Sequence, residues 1–138
     1  MIHLIEPIKM AVIENVAYSV KDVSEKLFGG FCDCGGRMLQ KFWLNLEGMR
    51  VLFSECEKCW KNHAYVFNST KFLRKEEVRV IRKGEILDYL KNFLTELEVE
   101  ALLNKAQNRA YKPQHLARVK KKLSDMNLPL EEILSLLK

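Results

Sequence analysis

Four cysteines stand in two tight pairs, Cys32-Asp33-Cys34 and Cys56-Glu57-Lys58-Cys59, with 21 residues between the pairs and no other cysteine in the chain. Spacing this tight suits one tetrahedral metal site better than a disulfide framework. Cys32, Cys34, Cys56 and Cys59 are therefore the candidate ligands. A single structural Zn2+ is the expected cofactor, because four thiolates close a tetrahedral shell and leave no position for water. The same donors also suit a tetrathiolate iron, and Cys56 with Cys59 has the spacing of a redox pair. His63, four residues past Cys59, reads as a surface or strand-end histidine. A metal held by four thiolates organises a small β-rich unit that lacks the apolar core to fold alone.

The rest of the chain divides around that unit. Short β-branched runs at 2–5, 8–13 and 16–20 predict strands. Lys21 to Phe28, with Val23, Leu27 and Phe28 at helical spacing, predicts a short helix that Gly29-Gly30 ends. Alternation from Arg37 to Leu46, a Glu47-Gly48 turn and the returning run Met49 to Ser54 predict a hairpin leading into Cys56. On its first strand, strict alternation puts Arg37, Lys41 and Trp43 on one face. Ala64 to Asn68 predicts a third strand, Ser69 to Lys75 a connector, and Glu76 to Arg82 one more strand able to pair with the N-terminal ones. From Gly84 the apolar period becomes helical: Glu85 to Leu94, a second helix capped by Thr95 and Glu98, a third opening at Pro113, and a last over Leu130 to Leu137. The expected fold is α+β: N-terminal strands with a four-cysteine zinc ribbon over residues 1–83, the ribbon itself at about 28–70, then a C-terminal bundle of about four short helices over 84–138.

The run Cys32-x-Cys34-Gly35-Gly36, a hairpin and Cys56-x-x-Cys59 resembles the zinc-ribbon superfamily of transcription, replication and translation proteins, with the first knuckle a CxC in place of the usual CxxC. The resemblance implies three strands and two knuckles around one zinc. The helix pair Pro113 to Met126 and Pro129 to Leu137 locally resembles the paired helices that follow the DNA-reading element of some helix-turn-helix regulators, through Leu116, Val119, Leu123, Leu130, Glu131, Glu132, Ile133 and Leu137.

Charge points the same way. The net charge is +5, and the last 38 residues, with eight bases and three acids, hold all of that excess. Arg109, Lys112, Arg118, Lys120, Lys121 and Lys122 form a basic stretch before and along the third helix, and the ribbon adds Lys41, Trp43, Lys58 and Trp60. Bases interleaved with aromatics pair with phosphates and stack on unpaired bases, so these are the candidate nucleic-acid-binding residues. A solvated helix face, with ribbon aromatics packed into the neighbouring lobe, explains the same pattern. No phosphate loop or nucleophile motif is present, and Glu55, Glu57, Glu76 and Glu77 have no histidine or open metal to organise them, so no catalytic residue is assigned. Two functions follow: a non-catalytic, nucleic-acid-associated zinc protein of the transcription or RNA-processing type, partnered by DNA or RNA, or a docking module of a protein complex with zinc in a purely structural role. No run approaches about eighteen apolar residues and the N-terminus lacks a signal-peptide pattern, so a cytoplasmic protein without a membrane partner is expected.

Overall fold

A computed structural model describes residues 2–138. Four short strands open the chain: β1 (Ile2–Ile5), β2 (Met10–Ile13), β3 (Val16–Ser19) and β4 (Lys21–Asp22). Then come β5 (Phe28–Phe31), β6 (Arg37–Leu46), β7 (Met49–Cys56), β8 (Asn62–Phe67) and β9 (Phe72–Ile81). Helices α1 (Ile86–Leu90), α2 (Glu96–Ala106), α3 (Pro113–Asp125) and α4 (Leu130–Leu136) complete it. The α+β class expected from the sequence holds, as a barrel-like β half followed by four helices. Among the described residues no helix is long and apolar enough to cross a membrane.

The strands run in the order β3-β2-β1-β9-β8-β7-β6-β4, with β5 also on β6. The two ends of that order, β3 and β4, are separated in sequence only by Val20. One stretch of chain therefore pairs with β2 through Val16–Ser19 and with β6 through Lys21–Asp22, and this double pairing curls the sheet closed. Alternation then sorts the side chains. Leu4, Ala11, Phe42, Leu44, Val51, Phe53 and Val66 fill the interior, while Ile5, Met10, Val12, Ala17 and Ile81 turn outward into the helical core. β1 runs parallel to the C-terminal half of β9, so the last predicted strand does pair with the N-terminal ones.

The helices dock on that apolar outer face. Tyr89, 1% exposed, packs edge-on to His3 of β1, with its hydroxyl 3.3 Å from His3 Nδ1. The turn between α3 and α4 seals the open edge of β3: the Ala17 amide donates to the Met126 carbonyl at 2.7 Å, and Asn127 Nδ2 donates to the Ala17 carbonyl at 2.9 Å.

Three local expectations are corrected. Lys21 to Phe28 forms no helix, because Lys21 and Asp22 are taken into the sheet by β6, and Leu27 and Phe28 face solvent with no core to meet. Gly29-Gly30 lies inside β5, where the backbone crosses Ser54 and Tyr65 so closely that side chains at these positions would collide with them. The expected connector over 69–75 is short, since β9 already begins at Phe72, whose partner is Phe67. A further departure lies in β6, where a bulge between Gln40 and Phe42 resets the alternation, so Arg37, Lys41 and Trp43 do not share a face.

The helical half follows its sequence signals more closely. Thr95 caps α2: its hydroxyl accepts from the Glu98 amide at 3.3 Å, and Glu98 Oε1 accepts from the Thr95 amide at 2.8 Å. Glu98 is 2% exposed and is met by Lys122 Nζ of α3 at 2.6 Å. Burial pushes the Glu98 carboxyl up, but Lys122 and the Thr95 amide outweigh it and hold the pKa below its ordinary 4.5. A lowered carboxylate pKa stabilises the fold above the ordinary value, and that contribution is lost as the pH falls through the folded one. We expect Lys122→Met to cost about 1–3 kcal/mol at neutral pH by urea denaturation, because it strands a buried carboxylate. The gap to the wild-type protein should narrow as the pH drops below the ordinary carboxylate range.

Candidate metal centre

Each cysteine pair is held in a tight turn between strands. The first turn joins β5 to β6: the Cys32 amide donates to the Gly36 carbonyl and the Gly35 amide to the Cys32 carbonyl, both at 2.9 Å, with Gly35 at φ 86. The second joins β7 to β8: the Cys56 amide donates to the Lys61 carbonyl at 2.9 Å and the Trp60 amide to the Cys56 carbonyl at 3.1 Å. Sheet register brings the two turns together, since Met38 pairs with Cys56 across β6 and β7 and the Glu57 amide donates to the Arg37 carbonyl at 2.9 Å.

The four Sγ atoms lie within 4.8 Å of one another, with Cys32 to Cys59 and Cys34 to Cys56 each at 3.5 Å. A tetrahedral ion with metal–sulfur bonds of about 2.3 Å places its sulfurs about 3.8 Å apart, so the cluster fits such an ion with little adjustment. Cys32 and Cys56 are buried, backed by Met38 and the half-buried Tyr65, and Cys34 is exposed. Amides point at the sulfurs as a thiolate site requires: Gly36 to Cys34 at 3.3 Å, and Lys58 and Cys59 to Cys56 at 3.3 and 3.4 Å.

Those contacts show in the acidities. The Cys59 amide pulls the Cys56 thiol down to about 6, helped by the Lys58 amide and the neighbouring sulfurs and opposed by burial. Cys59 is pushed up to about 12: the Lys61 amide pulls it down, while burial and the sulfurs of Cys32, Cys34 and Cys56 push harder the other way. Four sulfurs this close cannot all ionise unless a cation sits among them, so a bound cation would hold all four as thiolates.

Gly36 shows how little room is left. A Cβ there would sit 2.6 Å from Cys56 Sγ and 2.8 Å from Lys58 Cβ. His63 lies outside the sulfur cluster and, contrary to a surface reading, is 3% exposed at the start of β8. Burial, with Lys75 nearby, lowers its pKa.

The candidate nucleic-acid residues separate into three groups. Arg109, Lys112, Arg118, Lys120 and Lys121 are exposed and, among the described residues, make no ion pair. Lys122 is turned inward to Glu98 and to the Phe93 carbonyl at 3.3 Å. Lys41 is likewise corrected: displaced by the bulge, it binds Glu55 at 3.1 Å and Glu6 at 3.3 Å with its side chain 16% exposed, so it is not a free surface base. Trp43 is half-buried beneath the Arg50 guanidinium, 4.4 Å above its ring. Lys58 and Trp60 are exposed at the tip of the second turn, Trp60 at φ 67. The α3 bases and the cysteine turns do not converge, because α3 packs with β1 to β3 while the turns project from β5 to β8.

We expect Gly36→Ala to weaken metal retention about tenfold or more, by displacing the sulfur it touches. Competition with a chromogenic chelator measures this, with Gly84→Ala as the control, since nothing lies near that position. Equal retention by the two variants would refute the packing argument.

Comparison with known proteins covers almost the whole chain. The AF0631-like N-terminal beta-barrel domain matches residues 1–80, and the AF0631-like C-terminal four-helix domain matches residues 83–136. A relative from Archaeoglobus fulgidus, an uncharacterized protein, is 46% identical over 134 residues, which are 97% of each chain. No solved structure matches. With both halves matched in order and a full-length relative at that identity, the chain belongs to the AF0631-like family.

Proposed function

We propose that this chain is a small, non-catalytic, cytoplasmic zinc protein that associates with nucleic acid, a factor of the transcription or RNA-processing type. The observation that carries the nucleic-acid part is the unpaired state of Arg109, Lys112, Arg118, Lys120 and Lys121. On the barrel, Lys9, Arg37, Lys61, Arg74 and Lys75 are each met by a carboxylate, whereas Lys21, Arg50, Lys58 and Lys71 are not among the ion pairs of the described residues. Unpaired bases clustered near one helix repel one another and favour a polyanion, whose counterions they release.

Zinc is the ion that four soft thiolates in a tetrahedral cluster suit best, and reduced paired thiols suit a cytoplasmic setting. Bound there, zinc would tie the β5–β6 turn to the β7–β8 turn, and the β6–β7 hairpin followed by β8 supports reading these residues as a ribbon set into a larger barrel. The site offers no open coordination position. The acids beside it are engaged, Glu57 by Arg37 and Glu55 by Lys41 and Asn62, which favours a structural role. The second reading, an assembly module, is favoured by Trp60, 66% exposed beside the cysteines.

Metal analysis of the purified protein should find one zinc per chain. Fluorescence anisotropy with single- and double-stranded DNA and RNA should show binding that weakens as salt rises. Lys120→Glu combined with Lys121→Glu should lower affinity at least tenfold and flatten the salt dependence. Failure to bind any of these nucleic acids at low salt would remove this reading. Self-association abolished by Trp60→Ala would then favour the assembly module.

A further inference from the structure

Phe67 and Phe72 lie outside both the barrel interior and the helical core, together with Trp43 and Tyr65. Their rings form a contact series: Trp43 to Phe67 at 6.3 Å between centroids, Phe67 to Phe72 at 5.6 Å, and Phe72 to Tyr65 at 6.2 Å. On β5, Gly29 and Gly30 turn toward Ser54 and Tyr65, so the Phe28 and Phe31 rings, which meet edge to face at 5.0 Å, point to the opposite side of that strand and form a separate pair. Phe72 is 50% exposed, and Trp43, Tyr65 and Phe67 are half-buried. A row of rings at the surface marks a face that something covers. The helices do not, for they sit on the outer faces of β1, β2 and β3 and the C-terminal end of β9.

The frame around the rings is cationic. Arg50 lies over Trp43, Lys21 is in register with Trp43, and Lys71 directly precedes Phe72. The neighbouring acids are already engaged: Asp22 by Lys9, Asp33 by Lys75, and Glu77 by Lys61. This face also leads to the unpaired bases of α3. Lys120 and Ser19 line one cleft, and Lys21, two residues further along the strand and on the same outer side as Ser19, stands opposite Trp43.

We propose that this aromatic face binds single-stranded nucleic acid, with unpaired bases stacked on Phe72, Phe67 and Trp43, phosphates held by Arg50, Lys21 and Lys71, and the strand continuing toward Lys120. The proposal rests on the nucleic-acid association argued above and narrows it to unpaired strands. A duplex keeps its base faces stacked on one another and cannot use the rings. A protein partner would also cover apolar rings, but a cationic frame whose nearby carboxylates are already engaged favours a polyanion.

Phe67→Ala and Phe72→Ala test it, because both side chains lie outside the two buried cores and the fold should survive their loss, as circular dichroism and metal content would verify. Anisotropy is read with oligo(dT), oligo(U) and a duplex of equal length. The expected result is tighter binding to a single strand than to the duplex, weakened about tenfold by either substitution, with duplex binding unchanged. Duplex binding that depends on Lys120 and Lys121, with single-strand binding indifferent to both ring substitutions, would overturn this proposal and leave nucleic-acid association standing. No binding to any of the three would remove both. A dimer lost on Phe72→Ala and unaffected by oligonucleotide would show that a second copy covers the rings, which also overturns the proposal.

Discussion

The architecture depends on one short stretch of backbone, Val16 to Asp22, finding partners on both of its sides. Val16–Ser19 pairs with β2 and Lys21–Asp22 with β6, so the sheet has to close. Closure leaves Ala17 with backbone groups that the sheet does not use, and the α3–α4 turn supplies their partners through the Met126 carbonyl and the Asn127 amide. Asn127 adopts φ 60, a conformation asparagine tolerates, and from there its side chain reaches β3. A backbone amide and carbonyl buried without partners would each be costly, so the helical half completes the barrel as well as packing on it.

Closure also fixes which faces remain for function. Once the interior is filled by Phe42, Phe53 and their neighbours, every second side chain on β6 to β8 and the first half of β9 must point outward, where no helix covers it. The bulge in β6 then acts at two places. It puts Trp43 on the outer face beside Phe67, and it frees Lys41 to meet Glu55 and Glu6. Register across β6 and β7, continued through Met38 and Cys56, sets the two cysteine turns at a separation a single ion can span.

Much of this is legible in the residues, and the rest fails for identifiable reasons. Local signals survive: the capping pair Thr95 and Glu98, Pro113 at the first turn of α3, and the Glu47-Gly48 hairpin all appear where expected. Non-local competition decides the others. Val23, Leu27 and Phe28 have helical spacing, but β6 takes the backbone just before them. Lys41 and Lys122 read as free bases because their partners, Glu6 and Glu98, lie 35 and 24 residues away in sequence. The one-residue bulge at Lys41 has no local marker, yet it reverses the facing of everything after it in the strand. The four thiols are legible because their spacing carries the chemistry, whereas the aromatic series joins residues from β6, β8 and β9 that sheet pairing alone brings together.

The charge at the cysteine turns bears on where a polyanion would run. Four thiolates around one divalent ion would leave two net negative charges at the tips of those turns. Lys58, exposed beside Cys59, would then have a local anion to compensate before it could serve a phosphate. Arg37 and Lys61 in the same region are already held by Glu57 and Glu77. With an ion bound, the cysteine end of the barrel would be close to neutral or acidic, while α3 keeps its unpaired bases and Arg50, Lys21 and Lys71 border the rings. On the proposed reading, a strand following this potential would avoid the cysteine turns and cross the aromatic face, and the cysteine cluster would support that surface without being part of the contact.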